Sequence, residues 1–192
     1  ALLDALGVER VALGGLSLGG YVALAAARDW PERIHALILA DTRASADTPE
    51  AQAGREATAR FVEAQGPAAL FERDAGKLLS NHALTRQPEV VARARELAEA
   101  NSAAGLATVA RGLALRLDAT ERLPQIACPT LVVVGEQDAI TPVAAVRTLF
   151  ERIPHAQLQV IADAGHLSNL EHPAIFTDLL AHFLRDTGMI AG

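Results

Sequence analysis

One serine of this sequence has the neighbours that a nucleophile requires. Ser17 is the centre of Gly-Leu-Ser-Leu-Gly (residues 15–19), which fits G-x-S-x-G between an apolar run typical of a β-strand and the start of a helical pattern. A serine in such a turn has a strained backbone, so the residues two before and two after it must be small. Because free N–H groups at a helix N-terminus favour negative charge, the backbone N–H of Leu18 is the predicted donor to an oxyanion.

Two other interpretations of this glycine-rich segment have to be weighed. A tight turn without chemistry is one alternative, and it stays open at this point. A phosphate-binding loop is excluded, because the sequence has neither G-x-x-x-x-G-K-[ST] nor the G-x-G-x-x-G spacing of dinucleotide-binding folds. The position between a strand and a helix favours the nucleophile over the ordinary turn.

A serine hydroxyl is a weak nucleophile until a base removes its proton, so a histidine has to lie near it in the fold. His166 is the best candidate, because it lies in a loop of small residues directly after the last predicted strand, and parallel sheets gather their functional residues at the carboxyl ends of strands. A solvent-exposed loop histidine is the alternative. The other five histidines, for which packed or solvated side chains are expected, are His35, His82, His155, His172 and His182.

The base needs a carboxylate to orient it, and Asp138 is predicted for this role. It follows another predicted strand in Gly-Glu-Gln-Asp (residues 135–138), and aspartate is short enough to hold a loop while it accepts the imidazole N–H. Three carboxylates compete with it: Glu136, Asp163 and Asp41, of which Asp41 at the end of the second strand is the strongest rival. Each of the four could instead bond its own backbone in a turn.

The elements that must position these residues alternate between strands and helices. This alternation is typical of an α/β fold with three layers, in which helices cover both faces of a parallel sheet. Four strands are predicted, at residues 10–13, 35–40, 130–135 and 157–161. The first helix is expected over residues 18–28, before Pro31, and the last over residues 173–185, where apolar residues form one wide stripe.

A long insertion separates the second and third strands. The chain between these strands is much longer than the roughly twelve residues that a parallel crossover needs. Residues 44–122 show several helical patterns rich in Ala, Glu and Arg. Breaks are predicted near Gly54, Gly66-Pro67, Gln87-Pro88 and Gly105. We interpret this segment as a helical cap on a core formed by residues 1–43 and 123–192, and a second helical domain with a role of its own is the alternative.

Composition and charge narrow the classes of partner and compartment. A net charge of -6 and a pI near 5.5 leave no basic surface for nucleic acid. The single cysteine, Cys128, cannot form an internal disulfide, so a reducing compartment is allowed and the cytoplasm is expected. The uncharged stretch 11–27 has the length of a membrane span, but its glycines divide it into a strand, a turn and a helix, so no contact with a membrane is expected.

Three segments resemble the signature segments of capped α/β-hydrolases, in particular those of 3-oxoadipate enol-lactonases and small esterases. They are Gly-Leu-Ser-Leu-Gly-Gly at residues 15–20, Gly-Glu-Gln-Asp-Ala-Ile-Thr-Pro at 135–142 and Ala-Gly-His-Leu-Ser-Asn-Leu-Glu-His-Pro at 164–173. The order Ser17, Asp138, His166 matches the order of nucleophile, acid and base in this family.

The resemblance implies a serine hydrolase that cleaves a carboxylic ester or lactone of a small molecule through an acyl-enzyme. Ser17, Asp138 and His166 would be catalytic and Leu18 would bind the oxyanion, without a metal or an organic cofactor. The serine separates the chain from haloalkane dehalogenases and epoxide hydrolases, which have aspartate there. Carbon–carbon bond hydrolysis, cofactor-free perhydrolysis and a non-catalytic ligand-binding role on the same fold stay open. The few aromatic residues of the cap favour a modest aliphatic acyl or lactone group.

The chain departs from the family pattern at its N-terminal side. Family members carry four more strands before this segment, and a loop of that region usually supplies the second oxyanion donor. The chain begins at Ala1 without a methionine, which suggests a truncated or processed start. If Ala1 is the native start, the first strand exposes an apolar edge, and self-association through that edge is expected.

Overall fold

Four parallel strands form the centre of the fold. The computed structural model of the chain describes residues 1–190. The strands lie side by side in chain order and are β1 (Val11–Leu16), β2 (Ile34–Ala40), β3 (Thr130–Gly135) and β4 (Ala156–Ile161). Helices cover both faces of this sheet, so the predicted three-layer α/β fold is confirmed.

The strand bounds differ from the prediction mainly in β1. It runs on to Leu16 because Gly14 and Gly15, which suggest a turn in the sequence, continue to pair with β2. β3 has the predicted bounds, while β2 and β4 begin one residue earlier than predicted. Within residues 1–190, β1 pairs with β2 alone. Self-association through the other edge of β1 stays a prediction.

Helices lie before, between and after the strands. They are α1 (Leu2–Ala5), α2 (Leu18–Asp29), α3 (Pro49–Leu78), α4 (Asn81–Arg86), α5 (Pro88–Glu99), α6 (Ala103–Ala114), α7 (Val143–Arg152), α8 (Ser168–Glu171) and α9 (Pro173–Asp186), with short 3₁₀ turns at Pro31–Arg33 and Thr120–Gln125. The uncharged stretch 11–27 forms β1, a turn and most of α2. Over the part of the chain that the structure describes, no helix has both the length and the apolar character needed to cross a membrane.

Each face of the sheet packs against different helices, because successive strand residues point to opposite faces. On β2, Leu37 and Leu39 share a core with residues of α2 and α7. Ile38 and Ala40 share a second core with Phe183 of α9. All five residues are buried. A strand that is covered on both faces is apolar at nearly every position, which explains why β2 is apolar at every residue except His35.

The connection between β2 and β3 contains the four α-helices α3 to α6, followed by the 3₁₀ turn Thr120–Gln125. α3 and α6 pack on each other, and their small core consists of Ala59, Val62, Ala107 and Ala110. These helices lie inside the predicted range 44–122. Their interpretation as a cap, with the rest of the chain as the core, stays a prediction.

The predicted breaks in this helical segment have different outcomes. Gly66 has φ 82° and kinks α3 before Pro67, and Gln87-Pro88 separates α4 from α5, both as predicted. The break predicted at Gly54 is wrong: this exposed residue lies inside α3, where glycine costs only about 1 kcal/mol relative to alanine. Gly105 lies in the first turn of α6 and donates its N–H to the N-cap hydroxyl of Ser102 (3.0 Å), so it marks a helix start.

Candidate active site

The turn between β1 and α2 holds Ser17 in a strained backbone conformation. Its φ of 50° is a value that non-glycine residues rarely adopt, and such strain costs on the order of 1–3 kcal/mol. The Ser17 N–H donates to the Ala40 carbonyl (2.9 Å), and Thr42 Oγ1 donates to the Ser17 carbonyl (2.9 Å). Ser17 is the N-cap of α2, but its hydroxyl makes no capping bond. The Oγ is therefore free to contact other groups.

Glycines on both sides of Ser17 let the strand and the helix approach. A Cβ on Gly15 would lie 2.0 Å from the carbonyl carbon of Gly19, and a Cβ on Gly20 would lie 2.5 Å from Thr42 Cγ2. A Cβ on Gly19 would have no heavy atom within 4 Å. The expectation that small residues are required at both 15 and 19 is therefore right for Gly15 and wrong for Gly19. The close packing on the helix side falls on Gly20 instead.

We expect Gly15→Ala to prevent folding or to lower the free energy of unfolding by about 3 kcal/mol or more, because its new methyl group would overlap the helix backbone. Gly19→Ala is the matched control and should change that free energy by no more than about 1 kcal/mol, in the stabilising direction. Urea unfolding followed by circular dichroism compares the two variants. Equal midpoints for both would contradict the close approach at Gly15.

His166 joins the serine to a carboxylate. Its Nε2 lies 2.8 Å from Ser17 Oγ, and its Nδ1 lies 2.8 Å from Asp138 Oδ2. The imidazole is buried, with 3% of the residue exposed, and it lies in the loop between β4 and α8, residues 162–167, here called the histidine loop. The structure thus brings together the three residues predicted from the sequence, although they are far apart along the chain. Such a chain of contacts is able to activate a hydroxyl for attack.

The loop after β3 holds Asp138 through its own backbone. Oδ1 accepts the N–H of Ile140 (2.8 Å) and of Thr141 (2.9 Å), and Oδ2 accepts the Thr141 hydroxyl (2.5 Å). Burial opposes ionisation of this carboxyl, but the hydrogen bond and charge of His166, together with the Thr141 donors, hold the pKa of Asp138 below its ordinary value. A carboxylate that stays ionised can stabilise a cationic imidazole.

Two of the rival carboxylates, Glu136 and Asp163, contact groups other than His166. Glu136 Oε2 accepts the backbone N–H of Asp163 (3.2 Å), and Asp163 Oδ1 accepts the side-chain amide of Gln137 (3.3 Å). Both carboxylates are exposed, and Asp163 has φ 57° at a tight turn. They connect the loop after β3 to the loop after β4.

Asp41, the strongest rival in the sequence, bridges the ends of two other elements. Its side chain is buried, and it accepts the Gly135 N–H at Oδ1 (2.9 Å) and the Ser168 hydroxyl at Oδ2 (2.5 Å). Burial raises the pKa of Asp41 to about 7, although hydrogen bonds from Ser168 and Gly135 oppose this effect. Asp41, which directly follows β2, therefore holds the C-terminal end of β3 and the start of α8.

Asp41→Asn is expected to change how stability depends on pH. The unfolded carboxyl ionises near its ordinary value of 3.8, whereas the native one keeps its proton up to about pH 7. The free energy of unfolding of the unmodified protein, relative to that of the variant, therefore falls by up to about 4 kcal/mol as the pH rises from about 4 to about 7. Above pH 7 this difference stays constant. Urea unfolding of both proteins across this pH range measures the effect, and a difference independent of pH would contradict it.

Leu18, the predicted oxyanion donor, is the first residue of α2. The N–H groups of a first helical turn have no acceptor within the helix, so this N–H is available directly beside Ser17. It is also aligned with the positive end of the helix dipole. The role of Leu18 as a donor stays a prediction.

Two residues missed by the sequence analysis support these loops. Thr141 holds Asp138, and the Asp-x-x-Thr spacing in residues 138–141 is the local signal, because aspartate often bonds backbone N–H groups a few residues on. Glu171 is 2% exposed and accepts the N–H groups of Gly165 (2.9 Å) and Ser80 (3.1 Å). No local pattern pairs Glu171 with Ser80, because Ser80 is 91 positions away.

The sequence matches known proteins over nearly its whole length. A family model described as alpha/beta hydrolase fold matches residues 1–173. The chain is 35% identical over 176 residues to 3-oxoadipate enol-lactonase 2 of Acinetobacter baylyi, covering 92% of this chain and 64% of that protein. It is 32% identical over 195 residues to the 2-hydroxymuconate semialdehyde hydrolase of a Pseudomonas species, covering 99% of this chain and 67% of that protein. The chain thus spans about two thirds of the length of these curated relatives.

Solved structures show the same architecture. A thermophilic esterase from Thermogutta terrifontis, solved with malate bound, superposes with a TM-score of 0.93 at 40% identity, covering 97% of this chain and 69% of that one. The enol-lactonase from Burkholderia xenovorans LB400 superposes with a TM-score of 0.85 at 29% identity, covering 96% and 69%. The resemblance to enol-lactonases and small esterases is confirmed. The chain belongs to the α/β-hydrolase fold family.

Proposed function

We propose that this protein is a serine hydrolase that cleaves a carboxylic ester or lactone of a small molecule through an acyl-enzyme. The observation that carries the proposal is the hydrogen-bonded chain from Ser17 Oγ through His166 to Asp138, with both distances at 2.8 Å. A nucleophile, a base and an orienting carboxylate in contact are what acyl transfer needs. Similarity to an enol-lactonase and an esterase supports the substrate class.

In the proposed reaction, Ser17 Oγ attacks the carbonyl carbon while His166 Nε2 takes the hydroxyl proton. The ionised Asp138 stabilises the imidazolium, and the Leu18 N–H donates to the oxyanion. His166 then returns the proton to the leaving alkoxide, which stays attached to the acyl group when the substrate is a lactone. A water molecule, deprotonated by His166, attacks the acyl-enzyme and releases the acid and the free serine.

The inserted helices are proposed to act as a cap. In this proposal the cap comprises residues 44–122, and the core comprises residues 1–43 and 123–192. In support, the backbone N–H of Leu167, next to His166, donates to the carbonyl of Leu78 at the end of α3 (3.1 Å). A segment that contacts the histidine loop is well placed to shape the space above it. A cytoplasmic location is also part of the proposal and rests on the single cysteine of the chain.

A second candidate is hydrolysis of a carbon–carbon bond in a diketone by the same three residues. The similarity to a 2-hydroxymuconate semialdehyde hydrolase favours it, because the substrate in that name is not an ester. The two candidates share the nucleophile and differ in the bond that breaks. Initial rates on a simple aryl ester and on a ring-cleavage diketone separate them, since the leading proposal requires the higher kcat/KM on the ester.

Labelling with a serine-reactive phosphonate tests the proposed nucleophile. The folded protein should take up one phosphonate, at Ser17, and lose its esterase activity in step with labelling. Ser17→Ala is the control and should remain unlabelled. A folded protein that hydrolyses no ester and carries no label at Ser17 would end the proposal. Tight ligand binding without turnover would instead point to a non-catalytic binder.

A further inference from the structure

Glu171 is a buried carboxylate that takes no part in the proposed proton transfer. It lies at the end of α8, and its residue is 2% exposed. Within residues 1–190 it forms no ion pair. Burying a carboxylate is costly unless hydrogen bonds replace the lost water. The partners of its two oxygens therefore indicate what this position contributes.

The two oxygens of Glu171 connect two separate segments of the chain. Oε1 accepts the N–H of Gly165, the residue before His166 (2.9 Å). Oε2 accepts the N–H of Ser80, which lies in the α3–α4 junction, residues 78–81 (3.1 Å). The carboxylate thus ties the histidine loop to the inserted helices.

A direct backbone contact lies on the other side of the histidine. The N–H of Leu167 donates to the carbonyl of Leu78 (3.1 Å). In addition, a Cβ on Gly165 would lie 2.6 Å from the nitrogen of Ser80, so the two backbones touch there. Both chain neighbours of His166 are therefore held by the α3–α4 junction, one directly and one through Glu171.

The junction also reaches the loop that carries Asp138. The N–H of Asn81 donates to the side-chain oxygen of Gln137 (3.2 Å), one residue before Asp138. One short segment of the insertion therefore contacts both loops that follow β3 and β4. A shift of about 1 Å in a catalytic group is enough to lower a rate about a hundredfold. Losing the hydrogen bonds between the junction and these loops could therefore disturb the 2.8 Å contact between His166 Nε2 and Ser17 Oγ enough to lower the rate.

We propose that Glu171 is a positioning residue. It accepts the N–H groups of both Gly165 and Ser80, and through this bridge the inserted helices fix the position of His166 relative to Ser17. This inference rests on the proposed hydrolase function and adds a role for the insertion that is separate from shaping the substrate pocket. The positioning role requires that loss of the two hydrogen bonds to Glu171 lowers kcat and leaves substrate binding unchanged.

Glu171→Gln is the first test variant, because its amide keeps one acceptor oxygen and turns an NH₂ group toward the second backbone N–H. We expect kcat per active site to fall by about 10- to 100-fold, with KM within about threefold of the original. Glu171→Asp keeps the charge but is one methylene too short to reach both donors, so it should behave alike. Glu171→Asp also provides the test if Glu171→Gln does not fold.

Asp47→Asn is the matched control for the loss of a buried carboxylate. The Asp47 side chain is fully buried and pairs with Arg43, Arg55 and Arg116 at the base of the insertion. It makes no hydrogen bond to the histidine loop in the described residues. This variant should lose stability while keeping the original kcat per active site.

The experiment measures three quantities on the full chain: kcat divided by the number of phosphonate-labelled sites, the urea midpoint, and the far-downfield proton resonance between His166 Nδ1 and Asp138 Oδ2. Both Glu171 variants should lose kcat and show a shifted or broadened resonance, whereas Asp47→Asn should change only the midpoint. If the Glu171 variants keep the kcat per labelled site of the unmodified protein and show an unchanged resonance, the positioning role is overturned, even if their urea midpoints fall. The resonance needs no turnover, so it decides this role even if the unmodified protein hydrolyses no ester and the proposed function fails.

Discussion

Ser17→Ala is expected to lower kcat for ester hydrolysis about 10⁶-fold, the loss seen when the nucleophile of a serine triad is removed. The missing oxygen is the proposed nucleophile, and no other hydroxyl of the described residues contacts His166 Nε2. Alanine differs from serine by one atom and should keep the strained turn, so the fold should persist. Steady-state rates on an aryl ester, with circular dichroism of the same sample, measure both effects.

A double variant shows whether Ser17 and His166 act as one unit. If the imidazole works only by taking the proton of this serine, His166→Ala added to Ser17→Ala should lower the rate no further. His182→Ala is the control, because this histidine lies on the surface of α9 with its side chain 76% exposed. Additive losses in the double variant, or a comparable loss in the control, would contradict the assignment of His166 as the base.

Asp138→Asn is expected to lower kcat about 10⁴-fold with little change in structure. The amide can still accept the N–H groups of Ile140 and Thr141, so the loop should keep its shape. It carries no negative charge, however, and its NH₂ group favours the imidazole tautomer that cannot accept the serine proton. Rates measured from about pH 6 to about pH 9 should remain low throughout, because no titration restores the charge.

Asp163→Asn is the matched control for this change. Asp163 lies on an exposed loop at φ 57°, a conformation that asparagine adopts as readily as aspartate. The rate should stay within about twofold of the original, because surface changes of this kind have small effects. A rate for Asp138→Asn within about tenfold of the original would contradict the assigned acid and return the rival carboxylates to consideration.

Much of the fold follows from local patterns in the sequence. The four strands appear as short stretches rich in aliphatic residues. The bounds of β3 agree residue by residue, because Pro129 and the polar residues from Glu136 onward limit it on both sides. Local patterns were misleading where glycine has two uses. Gly14 and Gly15 suggest a turn but extend β1, and Gly54 suggests a break but lies within α3. Glycine marks backbone freedom, and only the surroundings decide whether that freedom is used.

The contacts of the candidate site depend on residues that are distant in sequence. The G-x-S-x-G pattern indicates Ser17, and positions after strands indicate His166 and Asp138, because these are consequences of a parallel sheet. The partners of Asp41 and Glu171 are different. Asp41 bonds a residue 127 positions away, and Glu171 bonds one 91 positions away. No local spacing records such a pair.

By itself, the sequence determined the α/β class, the strained serine turn and a short list of carboxylates that could orient the histidine. The tertiary structure alone decided that Asp138 contacts His166, that the buried Asp41 bonds the end of β3 and the start of α8, and that Glu171 ties the histidine loop to the inserted helices. The physical reason is that periodicity and turn chemistry act over a few residues, whereas burial and hydrogen-bond partners arise only when distant segments pack together.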